Sequence, residues 1–186
     1  MTVFLGLDLS ITQTGYCIAD SKAPIKYGTI DTKKKTYSDV LAISRFHKVD
    51  YIYEVIQELL FARYDNEPIS YVALEGYAMG ISAGKNTSLC DLAELGGIIK
   101  NHLYSRDIPF LVVPPKSLKK FITGNGNASK DMMIQAISDI YGFNTTNNNI
   151  ADAYGLMVAA RAQFEPGFIT KEKKEILDKC FVIKDK

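Results

Sequence analysis

The chain has 186 residues, 47% of them apolar and 23% charged, which is typical of one globular domain with a sizeable core. Its net charge of +1 excludes an overall cationic field, so any nucleic-acid surface must be a local basic patch. No stretch resembles a transmembrane helix or a signal peptide, so no membrane association is expected. Cys17, Cys90 and Cys180 are scattered, which predicts reduced thiols in the cytoplasm, or in the host cytoplasm if the protein is viral.

The predicted elements begin with three strands and a long helix. Residues 2–9 form a continuous apolar run, the pattern of a central strand buried on both faces. Residues 14–20 and 24–31 follow after polar turns as the next two strands of a meander. Over 38–63 the apolar residues recur every three or four positions, which predicts a helix.

The second half alternates strands with helices and then continues as helices. Its predicted elements are strand 70–75, a Gly-rich loop over 76–85, helix 87–105, strand 109–113 and helices over 117–123, 129–141 and 150–163. Ser129 and Asn149 stand in the capping positions of the last two helices.

This order of elements predicts an α/β fold. Helices between the third, fourth and fifth strands allow parallel crossovers, so we expect a five-stranded mixed sheet flanked by helices on both faces. Residues 1–169 are expected to form one domain, and 170–186 a charged C-terminal tail that adds only a short helix or strand.

Three of the 21 acidic residues adjoin apolar elements. Asp8 interrupts VFLGLDLS, Glu75 ends the apolar strand in YVALEGYA, and Asp152 lies near the start of the apolar helix in NIADAYGLMVAA. A buried carboxylate without a partner either costs several kcal/mol or becomes neutral. Taken singly, Asp8 could pair with a lysine, Glu75 could mark a strand end, and Asp152 could favour the helix dipole.

Taken together, the three carboxylates predict a metal site. Adjacent strands would bring two of them within a few Å, where they would repel one another without a cation. Hard oxygen ligands of this kind suit Mg²⁺ or Mn²⁺. A pair of such ions drives phosphodiester cleavage in many nucleases.

Four lysines, Lys116, Lys119, Lys120 and Lys130, surround the GNGN turn at 124–127. Cations and exposed backbone N–H groups there would suit contact with phosphate, and a cation near a scissile phosphate would stabilise the transition state. The alternative is a solvated basic face, which is also how we interpret the lysine run at 33–35. Gly84-Lys85-Asn86 lacks the other residues of a P-loop, so no nucleotide cofactor is expected.

Four blocks of the sequence resemble the RuvC-type Holliday junction resolvases of the RNase H-like superfamily. GLDLSITQTGY is similar to the family's opening strand, turn and second strand, and ALEGYAMG to its strand that ends in a metal-binding Glu. LKKFITGNGNASK is similar to a block with two functional lysines, and NIADAYGLMVA to the terminal helix motif. The blocks stand in the family's order between Leu5 and Arg161, which implies an RNase H-like sheet.

The resemblance implies a function and a set of site residues. Asp8, Glu75 and Asp152 would hold two Mg²⁺ ions, with Mn²⁺ as a substitute, and Lys119 and Lys130 would complete the catalytic set. The activity implied is metal-dependent nicking of four-way (Holliday) junctions or other branched DNA. Because such a junction is nearly two-fold symmetric, a homodimer is expected. A stripe on helix 87–105 either forms the dimer interface or faces the sheet, and its members are Leu89, Leu92, Ala93, Gly96 and Ile99.

Two positions depart from the family pattern. Asn149 stands where the family has an acidic residue, so it is either a neutral metal ligand or simply a helix cap. Tyr77 lies one position before the place where the family's aromatic is expected, and it either stacks on a DNA base or anchors a loop. Lys116 and Lys120 are expected to contact DNA beside Lys119 and Lys130.

Two other functions remain open from the sequence. A catalytically weak or inactive branched-DNA binding protein of the same fold would explain the uncharged Asn149. An actin-like phosphotransferase opens with a similar strand, turn and strand, but it needs two such domains, for which 186 residues are too few.

Overall fold

The computed structural model describes residues 1–32, 41–76, 87–165, 167 and 169–183, and six strands form one mixed sheet. The strands are β1 (Phe4–Asp8), β2 (Gln13–Ala19), β3 (Pro24–Asp31), β4 (Tyr71–Glu75), β5 (Phe110–Val113) and β6 (Phe181–Ile183). The helices are α1 (Leu41–Phe61), α2 (Thr87–Ser105), α3 (Pro115–Thr123), α4 (Lys130–Tyr141), α5 (Asn148–Phe164) and α6 (Lys171–Leu177). Within the described ranges, no helix has both the length and the apolarity needed to cross a membrane.

The strand order β3-β2-β1-β4-β5-β6 contains both the predicted meander and the predicted parallel crossovers. β1, β2 and β3 form the antiparallel meander, and β1, β4 and β5 run parallel because helices connect them. The expected five strands are one too few, since β6 pairs antiparallel with β5. This strand has three residues within a charged segment and gives no alternating pattern, so only its pairing with β5 defines it.

Helices cover both faces of the sheet, as predicted. On one face, α1 and α2 pack large aliphatic side chains against the strands, including Ile52, Ile56, Leu95, Ile99 and Leu103. On the other face lie α3, α4, α5 and α6, with a second core that contains Phe4, Phe121, Ile137, Leu156 and Leu177. Gly96 and Ile99 are buried within the chain, so the α2 stripe is in part a sheet-facing surface.

Two glycines let α5 lie directly on the middle of the sheet. A Cβ at Gly6 in β1 would overlap the carbonyl oxygen of Ala153 and the amide nitrogen of Met157. A Cβ at Gly15 in β2 would overlap the carbonyl oxygen of Asn149. The first turns of α5 are therefore held against β1 and β2, where a larger residue would push the helix away.

One of the two predicted helix caps is confirmed, and the other is wrong. Ser129 caps α4, and its hydroxyl accepts a hydrogen bond from the Met132 N–H at 3.2 Å. Asn149 does not cap α5. The cap is Asn147, whose Oδ1 accepts from the N–H groups of Asn149 and Ile150 at 2.9 and 3.3 Å. In a run of three asparagines any one can cap, and tertiary contacts decide which one does.

Candidate active site

Asp8 and Glu75 lie at the ends of two adjacent parallel strands. Leu7 of β1 pairs with Leu74 of β4, and each carboxylate is the next residue in its strand. Side chains alternate along a strand, so both carboxylates lie on the same face as Gly6, which α5 covers. Asp8 is only 8% exposed. The parallel register therefore places two carboxyl groups side by side on the α5 face.

Asp152 reaches the same place from the first turns of α5. It precedes Ala153, the residue whose carbonyl lies against Gly6. Its charge acts on both Asp8 and Glu75, raising the pKa of each. The close contact at Gly6 thus explains why a helix residue distant in sequence joins the two strand carboxylates.

Burial raises the pKa of all three carboxyl groups, and neighbouring carboxylate charges raise the pKa of Asp8 and Glu75 further. For Asp8, burial raises the pKa well above its ordinary value, and the charges of Glu75 and Asp152 raise it further. For Glu75, burial and then Asp152 raise the pKa to about 7. Burial also raises the pKa of Asp152. A hydrogen bond between the two strand carboxyls raises the pKa of Asp8 and lowers that of Glu75.

Two lysines partly compensate this negative charge. Lys130 lowers the pKa of all three carboxyl groups, and Lys119 lowers those of Glu75 and Asp152. The lysines belong to successive helices, Lys119 to α3 and Lys130 to the first position of α4. The residue after α3, Gly124, has a φ of 81°. Glycine adopts this left-handed conformation without strain, which allows the chain to turn back towards the carboxylates.

The structure separates the four predicted lysines into two pairs. Half-buried Lys119 and exposed Lys130 act on the carboxylates, whereas Lys116 and Lys120 lie exposed on α3. The exposed backbone N–H groups expected in the GNGN turn are largely used within it. The Gly124 N–H donates to the carbonyl oxygen of Lys120, that of Asn125 to the Thr123 hydroxyl, and that of Asn127 to the Asn125 side chain. The lysine side chains, rather than the turn amides, face the site.

Asn149 makes side-chain contacts with β2. Its Nδ2 donates to the backbone carbonyl oxygen of Gln13 at 2.8 Å and to Gln13 Oε1 at 3.1 Å. Gln13 is a site residue that sequence reasoning missed. A glutamine in a polar turn carries no signal of its own, and only the packing of α5 on Gly15 brings it to Asn149.

The residues present fit a hard divalent cation in chemistry but are not gathered around one. Three carboxylates and an amide oxygen are the ligands that Mg²⁺ and Mn²⁺ prefer. Within the described ranges, no group of three or more His, Cys, Asp or Glu side chains is close enough to hold a metal ion.

Some predicted features lie outside the described residues. They are Tyr77, most of the Gly-rich loop with Gly84, Lys85 and Asn86, and the lysine run at 33–35.

Comparison with known proteins gives one consistent family. The family model described as "Crossover junction endodeoxyribonuclease RuvC" matches residues 4–160. A relative of that name from Brachyspira hyodysenteriae is 28% identical over 163 residues, which cover 84% of this chain and 92% of the relative. Another, from Cytophaga hutchinsonii, is 26% identical over 92% of this chain and 80% of the relative.

Solved structures show the same fold. Thermus thermophilus RuvC in complex with a Holliday junction substrate matches with a TM-score of 0.68 and 16% identity, over 98% of this chain and all of that one. The yeast mitochondrial Holliday junction resolvase Ydc2 matches with a TM-score of 0.55 and 17% identity, over 83% of this chain and 75% of that one. The sheet is therefore RNase H-like, as predicted. With its family model matched from the first strand into α5, the chain belongs to the crossover junction endodeoxyribonuclease RuvC family.

Proposed function

We propose that this protein is a metal-dependent endonuclease that nicks four-way DNA junctions, or other branched DNA, by hydrolysing phosphodiester bonds. One observation carries the proposal. Asp8, Glu75 and Asp152 lie on the α5 face near enough for their charges to interact, their pKa values are raised, and among the described residues Lys119 and Lys130 offset their charge. A site with this surplus of buried negative charge is destabilising unless a cation joins it, and family membership supplies the substrate class.

Asp8, Glu75 and Asp152 are the residues that would hold the metal. The ion we propose is Mg²⁺, with Mn²⁺ as a substitute and two ions per site. When bound, the metal would supply Lewis-acid activation of water and of the phosphate group. Asp8, Glu75 and Asp152 would bind the metal in their ionised forms, so their raised pKa values would make metal affinity depend on pH.

Lys119 and Lys130 are proposed to hold the scissile phosphate. Both already act on the carboxylates, so a phosphate placed among these groups would lie near two cations. Positive charge at this position favours phosphate binding and stabilises the additional negative charge of the transition state.

The remaining DNA contacts are proposed to lie at the edge of the site. Lys116 and Lys120 are exposed on α3 beside Lys119, where they would contact backbone phosphates next to the cleaved one. Tyr77, which follows β4 two residues after Glu75, is proposed to stack on a base at the junction centre. Two symmetric nicks require two active sites, so we propose that the protein acts as a homodimer.

The test is cleavage of a labelled four-way junction beside linear duplex of the same sequence, with Mg²⁺, Mn²⁺ or EDTA. Wild type should nick the junction in symmetric positions with either metal, and not in EDTA. Asp8→Asn should bind the junction as wild type does but cut it at least about a thousandfold more slowly, because it removes a ligand and leaves the DNA surface intact.

Two results would contradict the proposal. Junction binding without nicks in either metal would identify a branched-DNA binding protein. The uncharged Asn149 would then be the first residue to test as the cause of the missing cleavage. Equal loss of binding and cleavage in Asp8→Asn, with unchanged folding by circular dichroism, would assign Asp8 to the DNA surface rather than to the metal.

A further inference from the structure

A chain of three side chains connects β3 to the start of α5. Gln13 and Asp31 are directly paired on β2 and β3. Gln13 Nε2 donates to Asp31 Oδ2 at 3.3 Å, and Gln13 Oε1 accepts from Asn149 Nδ2 at 3.1 Å. The same Nδ2 donates to the Gln13 backbone carbonyl oxygen at 2.8 Å. A carboxylate, a glutamine amide and an asparagine amide are thus linked in series.

Chemistry fixes the orientation of both amides. The carbonyl oxygen of Gln13 can only accept, so the Asn149 nitrogen must face it. The Asp31 carboxylate, when ionised, can only accept, so the Gln13 nitrogen must face it. Flipping either amide would place oxygen against oxygen. The Asn149 nitrogen is therefore committed to Gln13, and its Oδ1 is the atom left for another partner.

The helix places Asn149 on the side of α5 that carries Asp152. Asn149 precedes Asp152 by three residues on α5, and residues at this spacing share one face of a helix. It also lines a polar groove together with Lys130, which acts on all three carboxylates. Two hydrogen bonds to β2 immobilise the side chain, and the Asp31 charge polarises the amides in the direction that makes Oδ1 a better acceptor.

We propose that Gln13, supported by Asp31, positions and polarises Asn149 so that Asn149 Oδ1 serves as a neutral ligand of the metal. Gln13 is a positioning residue in this arrangement and does not touch the metal or the substrate. The proposal rests on the metal site of the proposed function. It explains how a site with an amide in place of a carboxylate keeps a fourth oxygen ligand.

The test is the Kd for Mn²⁺ of the metal-free full chain, measured by isothermal titration calorimetry without DNA. Gln13→Ala and Asn149→Ala should each weaken binding by about tenfold, the lower end of the effect of removing groups that orient metal ligands. Asp31→Asn should weaken it by less, because it removes a charge and not the ligand. Circular dichroism melting checks that each variant is folded.

A matched control exists on α4. Exposed Gln135 donates from Nε2 to Asp139 Oδ1 at 2.7 Å, the same kind of glutamine–carboxylate pair away from the site. Gln135→Ala should leave the Kd for Mn²⁺ within about twofold of wild type. Asn148, whose Oδ1 is buried and has no hydrogen-bond partner in the described structure, is the competing amide. If Asn148→Ala weakens Mn²⁺ binding and Asn149→Ala does not, the assignment of Asn149 as the neutral metal ligand is wrong.

A double-mutant cycle separates positioning from general stability. An aspartate side chain at 149 has no N–H to donate to Gln13. In the Asn149→Asp background, Gln13→Ala should therefore weaken Mn²⁺ binding by less than about threefold. Equal losses in both backgrounds would overturn the positioning role. If Asp8→Asn abolishes Mn²⁺ binding while Gln13→Ala and Asn149→Ala leave it unchanged, only this inference fails. If Asp8→Asn leaves it unchanged, the metal site of the proposed function fails with it.

Discussion

The two faces of the sheet are packed in different ways. Under α1 and α2, β1 presents Leu5 and Leu7, large side chains that fill the space to the helices. Under α5, the same strand presents Gly6 and then Asp8, and the helix backbone lies directly on the glycine. One face gains its stability from buried apolar area, whereas the other gives up side-chain volume at Gly6 for close approach of the helix backbone.

The packing of the α5 face determines where the site can form. A helix held close to the sheet brings its Asp152 carboxylate to the strand ends, whereas bulky layers keep helix and strands apart. The carboxylates therefore belong to the face with the small residues. Each face can be altered alone, because side chains alternate along β1.

The largest effect is expected for Gly6→Ala. Its Cβ would overlap backbone atoms of Ala153 and Met157, which cannot rotate away, so the free energy of unfolding should fall by about 3 kcal/mol or more. Displacement of α5 should also move Asp152 and lower junction cleavage beyond the fraction of molecules unfolded. Urea denaturation and cleavage rates measure the two effects.

Leu5→Ala is the control on the opposite face. It leaves a cavity beneath α1 and α2 and should cost about 2–5 kcal/mol, but the carboxylates keep their positions. Cleavage per folded molecule should therefore stay near that of wild type. Equal losses of activity in the two variants would contradict the assignment of the site to one face.

A smaller effect is expected for Glu75→Gln in metal-free protein. Burial and Asp152 raise the pKa of Glu75 from 4.5 to about 7, so the folded chain keeps a proton that the unfolded chain releases. Stability is then fully present below about pH 4.5 and is lost as the pH rises to about 7. The variant lacks this loss, so in EDTA at pH 8 its free energy of unfolding should exceed that of wild type by roughly 2–3 kcal/mol.

Thermal melts in EDTA between pH 4 and pH 8 measure how the stability difference between the variant and wild type changes with pH. Glu54→Gln, on the exposed side of α1, should follow the pH profile of wild type. Mg²⁺ at pH 8 should stabilise wild type and not Glu75→Gln, because binding to the folded state is linked to its stability. Equal stabilisation of both proteins would remove Glu75 from the ligand set.

Most of the fold could be predicted because its signals are local. Continuous apolar runs mark strands that are buried on both faces, and the 3.6-residue period marks the helices. The sixth strand could not be predicted, since Phe181–Ile183 is defined by its pairing with β5 and not by its own pattern. Asn147 replaces Asn149 as the cap of α5 for a similar reason, because the contact with β2 takes the Asn149 side chain.

The candidate site divides in the same way. Asp8 and Glu75 could be predicted because a carboxylate in an apolar strand is anomalous in the sequence itself, and Asp152 because it stands at the start of an apolar helix. Gln13 could not be predicted, because its role depends on which helix lies over Gly15. Residues whose function comes from their neighbours across the fold leave no local pattern.

The smallest effect tests the outer surface of the α1 and α2 face. Gly97 in α2 is exposed, and a Cβ there would meet no atom within 4 Å in the described chain. Gly97→Ala should therefore raise the free energy of unfolding by about 0.5–1 kcal/mol, because alanine loses less backbone entropy on entering a helix. Urea denaturation measures the change. A lower free energy of unfolding instead, with a loss that grows with protein concentration, would mean that a second copy of the chain packs closely against this side of α2.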